Sequence, residues 1–134
     1  MKPVIFIFCF ISMLSCENDD LKIAQGIIGN IKYGSGDCMP IIDESAREYI
    51  NYNGDLYFIV KRDLDNLGNG DFEILKTNSI KTTVIEGRYA VELPVDTFLV
   101  MPTFVYLYSD YNTIIIVEAE VIEKDYKFWK CTSY

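Results

Sequence analysis

The chain has no histidine and little positive charge, and both shortages bear on function. Of its 134 residues none is His, and 12 Lys and Arg stand against 20 Asp and Glu, for a formal net charge of −8. Without histidine there is no Ser-His or Cys-His nucleophile, no histidine metal ligand and no imidazole general base. Because nucleic acid needs a positive protein face, the acidic balance argues against that partner. We therefore expect a protein that is not an enzyme, takes no cofactor and binds no nucleic acid.

Long hydrophobic runs are also scarce, and the one near the start is short. It covers residues 4–14, follows the basic Lys2 and ends just before Ser15 and Cys16. Its length suits the apolar part of a signal peptide, whereas a spanning helix needs about 20 residues. The end of the run resembles the lipobox of bacterial lipoproteins, which implies cleavage before Cys16 and acylation of its thiol. The alternative is an ordinary secretory signal in which Cys16 has no role.

Acidic residues follow the candidate lipidation site at once. Residues 17–20 read Glu, Asn, Asp, Asp, which resembles the surface-export signal of Bacteroidota lipoproteins and implies display outside the outer membrane. A solvated acidic linker has the same composition, and that interpretation leaves a periplasm-facing protein open. We expect a signal peptide at residues 1–15, a lipidated acidic linker at 16–24 and a single folded domain at 25–134. The membrane is then a partner, through acyl chains such as palmitate on Cys16.

Cysteine is rare once these segments are set aside. Cys9 lies in the signal and Cys16 is the lipidation candidate, which leaves Cys38 and Cys131. An even pair in an exported protein is typical of a disulfide, and closing so long a loop contributes up to about 4–5 kcal/mol in the chain-entropy model. Two buried free thiols are the alternative. A pair of cysteines alone supplies too few ligands for a structural zinc site.

Short apolar stretches separated by turn residues fill the rest of the chain. Residues 80–85 and 88–93 flank a Glu-Gly pair, as in a β-hairpin, while the Gly-rich residues 34–40 predict a loop and residues 43–48 a short helical turn. Strands are also expected at residues 26–33, 56–60, 98–101, 105–108, 113–117 and 126–129. The spacing is typical of an all-β fold, and we expect one antiparallel β-sandwich of about seven strands.

One part of this pattern carries a family likeness. Residues 87–94 (GRYAVELP) followed by residues 97–100 (TFLV) resemble the signature of carboxypeptidase-regulatory-like, transthyretin-like β-sandwiches. Asp96 stands where that family usually has Gly, and Phe98 where it has Tyr. The resemblance implies an immunoglobulin-like or transthyretin-like sandwich that serves as a non-catalytic module for stability, adhesion or binding.

Aromatic side chains late in the chain form the candidate binding surface. They are Tyr106, Tyr108, Tyr111 and Trp129. In one strand register Tyr106 and Tyr108 point outward together, and their rings with polar tips suit a protein or a glycan. In the other register they belong to the core. Trp129 has the same two alternatives.

The acidic stretch at residues 63–73 suggests a weak calcium site. Its oxygen-bearing candidates are Asp63, Asp65, Asn69 and Asp71. Oxygen ligands around a Gly turn are what calcium requires, but the position of the bidentate acid in an EF-hand holds Lys76 or Ile74. We therefore expect one helical turn, an ordinary solvated loop and no bound metal.

The expected function is that of a lipid-anchored outer-membrane or cell-surface protein acting as a binding or accessory module. A carbohydrate-binding lipoprotein of a glycan-uptake system is the alternative, and it needs an exposed aromatic platform. A small hydrolase is the remote alternative, and it needs a cleft that holds two carboxylates. We expect the partner to be a protein or a glycan.

Substitution of Cys16 tests the anchor. We expect Cys16→Ala protein to take up no labelled palmitate and to leave the membrane fraction, because acyl chains supply its membrane affinity. Metabolic labelling followed by fractionation measures both effects. Cys9→Ala is the matched control and should keep label and sedimentation. Membrane-bound, labelled Cys16→Ala protein would contradict the lipoprotein interpretation.

Overall fold

Two β-sheets face each other across an apolar core in the computed structural model, which describes residues 22–38, 43–103 and 112–133. The strands of these residues are β1 (Gly26–Asp37), β2 (Ile50–Asn51), β3 (Gly54–Val60), β4 (Ile80–Val84), β5 (Arg88–Glu92), β6 (Thr97–Pro102), β7 (Thr113–Ile115), β8 (Val121–Glu123) and β9 (Tyr126–Ser133). Two helices, α1 (Lys61–Asp65) and α2 (Phe72–Thr77), and a 3-10 turn at Glu44–Ala46 complete the described elements. The expected all-β sandwich is confirmed.

The larger sheet is built around β1, with which four shorter strands pair. β5 pairs antiparallel with residues 26–30 of β1, and β2 pairs antiparallel with Lys32 and Tyr33. β8 and β9 run parallel to β1, beside residues 26–28 and 31–37. The sheet is therefore mixed, and the expectation of a purely antiparallel sandwich is not met here. Since β8 follows β7 of the other sheet, it arrives by a crossover, which permits the parallel direction.

The smaller sheet has the order β4, β3, β6, β7, and all its neighbours are antiparallel. The predicted hairpin connects the two sheets, because β4 lies in the smaller sheet and β5 in the larger one. At its tip Glu86 and Gly87 have φ of 51° and 74°, the left-handed backbone of a type I′ turn. Beyond the bridge between Ile85 and Arg88, the two strands separate, because each pairs with a longer strand of its own sheet.

The core lies between the sheets and takes alternate side chains from both. Period-two alternation in each strand turns one set of side chains inward. The members that are at most 1% exposed include Ile27, Ile31, Leu56, Phe58, Phe98, Val100 and Tyr126. Aromatic rings fill much of this space, and they belong to Tyr52, Phe58, Tyr89, Phe98, Tyr126 and Phe128.

A second apolar layer covers the outer face of the smaller sheet. Ile59, Leu99 and Met101 of the sheet pack against Leu64 of α1 and against Phe72 and Leu75 of α2. Because both faces of β3 and β6 are covered, these strands read as continuous apolar runs. α2 lies where the sequence pattern predicted no element, and Asp71 caps it by accepting a hydrogen bond from the Glu73 N–H at 2.9 Å.

Two expectations for the connecting segments have different outcomes. The loop predicted at residues 34–40 is wrong in its first half, because β1 continues to Asp37. The helical turn predicted at residues 43–48 is confirmed as the 3-10 turn. The strand predicted at residues 105–108, the signal peptide and most of the linker lie outside the described residues. Within the described ranges, no helix has the length and apolar character needed to cross a membrane.

Phe58 tests the core. It is fully buried between Ile80 and Val100 of the neighbouring strands, so Phe58→Ala removes a ring and leaves a cavity. We expect a loss of about 3–5 kcal/mol in the free energy of unfolding, measured by urea denaturation. Ile74→Ala is the control, because Ile74 is 61% exposed on α2 and its loss should cost little. Equal effects of the two substitutions would contradict the assigned core.

Candidate functional site

Residues 43–49, which we call the strap, cross the outer face of the larger sheet between Cys38 and β2. Phe128 of β9 is in the core, so the next side chain, Trp129, points to the opposite, outer face. Trp129 pairs in register with Gly34 of β1. The carbonyl oxygen of Glu48 also lies against Gly34. The strap and Trp129 thus meet over the C-terminal half of β1.

Glycine in β1 makes room for the Trp129 ring. A Cβ atom on Gly34 would lie 2.6 Å from Cζ3 of Trp129, and one on Gly36 would lie 2.7 Å from Cζ2. Such approaches are closer than van der Waals contact allows, so any larger residue would displace the indole. Glycine inside a strand often marks a close approach of this kind. These glycines are therefore required for packing, although the sequence pattern predicts a loop at their positions.

The strap covers Trp129 with a cation and a second ring. The guanidinium carbon of Arg47 lies over the indole, 4.5 Å from its centroid, a cation–π distance. The Tyr49 ring meets the indole edge-on, with centroids 5.5 Å apart and planes at 63°. The indole N–H of Trp129 is buried without a hydrogen-bond partner among the described residues. Stacking, rather than hydrogen bonding, therefore holds this ring.

Glu44 ties the strap together. Its carboxylate accepts a hydrogen bond from the Tyr49 hydroxyl at 2.7 Å and another from Arg47 Nη1 at 3.0 Å. The Tyr49 hydrogen bond, followed by the Arg47 contacts, holds the pKa of Glu44 below its ordinary 4.5. Burial, and then the Glu44 carboxylate, raises the pKa of Tyr49 above 10.0. The polar groups of these three side chains are thus paired with one another.

The disulfide between Cys38 and Cys131 is confirmed, and the alternative of two free thiols is wrong. The two Cα atoms are 5.4 Å apart, and the bond joins positions separated by 93 residues. It links the end of β1 to β9, directly beside the strap. Arg47 Nη2 lies 3.8 Å from Cys38 Sγ, so Arg47 contacts both the disulfide and Trp129. Its side chain is only 14% exposed.

A polar cavity of about 420 Å³ opens between the strap and the end of β1. Asp37 and Asp43 contribute carboxylates to it, and Arg47 and Trp129 form part of its wall. Asp43 also accepts hydrogen bonds from the Ser45 hydroxyl at 2.6 Å and the Ser45 N–H at 3.0 Å. These bonds lower the pKa of Asp43 from its ordinary 3.8. The cavity offers acceptors and a fixed cation, which suit binding of a polar group.

The structure does not bring the weak calcium candidates together. Asp65 forms an ion pair with Lys61 at 2.6 Å within α1, and Asp71 caps α2. In the part of the chain that the structure describes, no three His, Cys, Asp or Glu side chains are grouped to hold a metal ion. The carboxylates of Asp65 and Asp71, which suggested calcium, instead form an ion pair within α1 and cap α2.

The predicted binding residues lie in two places. Trp129 is described, and it is partly buried beneath Arg47 and Tyr49. Tyr106, Tyr108 and Tyr111 lie outside the described residues, as does Cys16. Glu44, Arg47 and Tyr49 were not predicted as site residues from the sequence. The helical turn predicted at residues 43–48 indicated order at Glu44 and Arg47 but did not include Tyr49, and the contacts of Arg47 and Tyr49 with Trp129 depend on the fold.

Neither a known protein family, nor a curated protein, nor a solved structure matches this chain. The likeness of residues 87–100 to transthyretin-like sandwiches therefore remains an expectation about family.

The strap carries a prediction about pH. Because the pKa of Glu44 is lower in the folded protein than its ordinary 4.5, its contribution to stability is present at neutral pH and is lost as the pH falls through the folded pKa. We expect Glu44→Gln to lower the Tm slightly at neutral pH, since the carboxylate is exposed and solvent-screened. The difference in Tm between this variant and the parent protein should disappear in acid.

Thermal unfolding over a pH series measures this gap. Glu123→Gln, which removes an exposed carboxylate on β8 away from the strap, controls for the loss of one negative charge. A Glu44→Gln gap that stays constant as the solution is acidified would show that the carboxylate does not tie the strap.

Proposed function

We propose that this protein is a lipid-anchored, exported β-sandwich that acts as a non-enzymatic binding or accessory module at the outer membrane, displayed on the cell surface. The observation that carries the proposal is the Cys38–Cys131 disulfide. Disulfides of this kind persist in oxidising compartments and are rare in the cytosol. An exported chain agrees with the signal-like run before Cys16, whose acylation supplies the anchor.

The non-enzymatic part of the proposal is supported by the chemistry of the strap. Three of its ionisable groups, Glu44, Arg47 and Tyr49, are engaged with one another, and Asp43 accepts hydrogen bonds from Ser45. The chain has no histidine to activate the hydroxyl of Ser35, which lines the neighbouring cavity. A positioned nucleophile and its base are the minimum for covalent catalysis, whereas binding needs only a shaped polar surface.

We assign the binding role to the cavity beside the strap. Its mixture of carboxylates and a guanidinium matches the polar groups of a protein partner better than the face of a sugar ring. A sugar needs an open aromatic platform, and Arg47 lies over the Trp129 ring. The carbohydrate-binding alternative therefore depends on Tyr106, Tyr108 and Tyr111.

Protease shaving of intact cells of the native host tests the location. We expect the domain, followed by antibody, to be lost from intact cells while a periplasmic marker survives. The reason for this expectation is that the acidic residues 17–20 resemble a signal that exports lipoproteins to the surface. Protection until the outer membrane is permeabilised would overturn surface display and place the protein in the periplasm. Replacement of residues 17–20 by uncharged residues is the matched variant, and it should convert the first result into the second.

A further inference from the structure

The two sulfur atoms of the Cys38–Cys131 disulfide have different surroundings. Arg47 Nη2 lies 3.8 Å from Cys38 Sγ, while Arg47 Nη1 is occupied by Glu44. The guanidinium stays charged at any pH the protein meets. One sulfur of the pair is therefore next to a permanent cation that the strap holds in place.

A cation at this distance decides which sulfur leaves in thiol–disulfide exchange. A positive charge nearby stabilises a thiolate, and the sulfur with the lower thiol pKa leaves faster. The exposed carboxylate of Asp37 precedes Cys38 in the chain and opposes this effect, but Arg47 makes the direct contact with the sulfur. Cys38 is thus the favoured leaving group, and Cys131 is the sulfur to be attacked.

Access permits the same direction. Cys131 lies on β9, which forms an edge of the larger sheet in the described part of the chain, and both Cys38 and Cys131 are partly exposed. A nucleophile attacking Cys131 approaches from the side opposite Cys38. Because exposure does not separate the two sulfurs, the contact of Arg47 with Cys38 is what selects Cys131.

We propose that Cys131 is a site of reversible modification by low-molecular-weight thiols. The incoming thiolate attacks Cys131 Sγ and forms a new S–S bond as the Cys38–Cys131 bond breaks. The electron pair of the broken bond passes to Cys38, which remains as a thiolate beside Arg47. The incoming thiol is oxidised into the mixed disulfide and Cys38 is reduced, so the step needs no other oxidant or reductant. It does not depend on the lipid anchor.

The experiment treats the folded full-length chain briefly with β-mercaptoethanol and then blocks free thiols with N-ethylmaleimide. Peptide mass mapping then reads the Cys38 and Cys131 peptides separately. We expect the mercaptoethanol adduct on Cys131 and the maleimide on Cys38, in several-fold excess over the reverse pattern. Adducts mainly on Cys38, or divided equally as in an unfolded chain, would overturn the proposal.

Substitution of Arg47 tests the cause. Arg47→Gln should slow the exchange and reduce the preference for Cys131 several-fold, whereas Arg47→Lys should retain much of both because it keeps the charge. Arg62→Gln, at an exposed arginine on α1, is the matched control and should behave like the parent chain. An unchanged preference in folded Arg47→Gln protein would show that Arg47 does not direct the exchange. If that variant fails to fold, the parent chain and Arg47→Lys still decide the site of attack.

Discussion

The pairing of β1 along both of its edges is the constraint on which the rest of the structure depends. This strand of 12 residues holds β5 and β2 on one edge and β8 and β9 on the other. A shift of one residue would exchange its two faces. Ile27 and Ile31 would leave the core, and Gly34 and Gly36 would no longer lie beneath Trp129. The packing of the core and the position of Trp129 beneath the strap therefore both depend on one register of β1.

The local sequence pattern was enough to predict strands whose side chains alternate between a solvent-exposed and a buried face. β5 is an example, since Tyr89 is buried between more exposed neighbours. The same reasoning failed at residues 34–37, where glycine indicates a turn locally but is needed to admit an indole from another strand. It also could not predict the parallel pairing of β1 with β8 and β9, because the direction of a strand that follows a crossover cannot be read from the residues of that strand.

The candidate site shows the same division between local and long-range information. The disulfide was predictable because an even pair of cysteines remained after the signal segment. The stacking of Arg47 on Trp129 was not, because the two residues are far apart in the chain and meet only when β9 lies beside β1. Periodicity could place Trp129 on one of two faces, and only the core position of Phe128 decides which.

The parallel alignment of β1 and β9 has a mechanical consequence. β1 begins directly after the segment that would tether the domain, and β9 ends the described chain. Tension between the start of β1 and the end of β9 passes along the extended β1 backbone and then across the Cys38–Cys131 disulfide, so covalent bonds carry it. The evenly spaced hydrogen bonds between the two parallel strands would be loaded in shear only after the disulfide is reduced. The position of the disulfide thus shields the pairing of β1 with β9 from a pull between these two points.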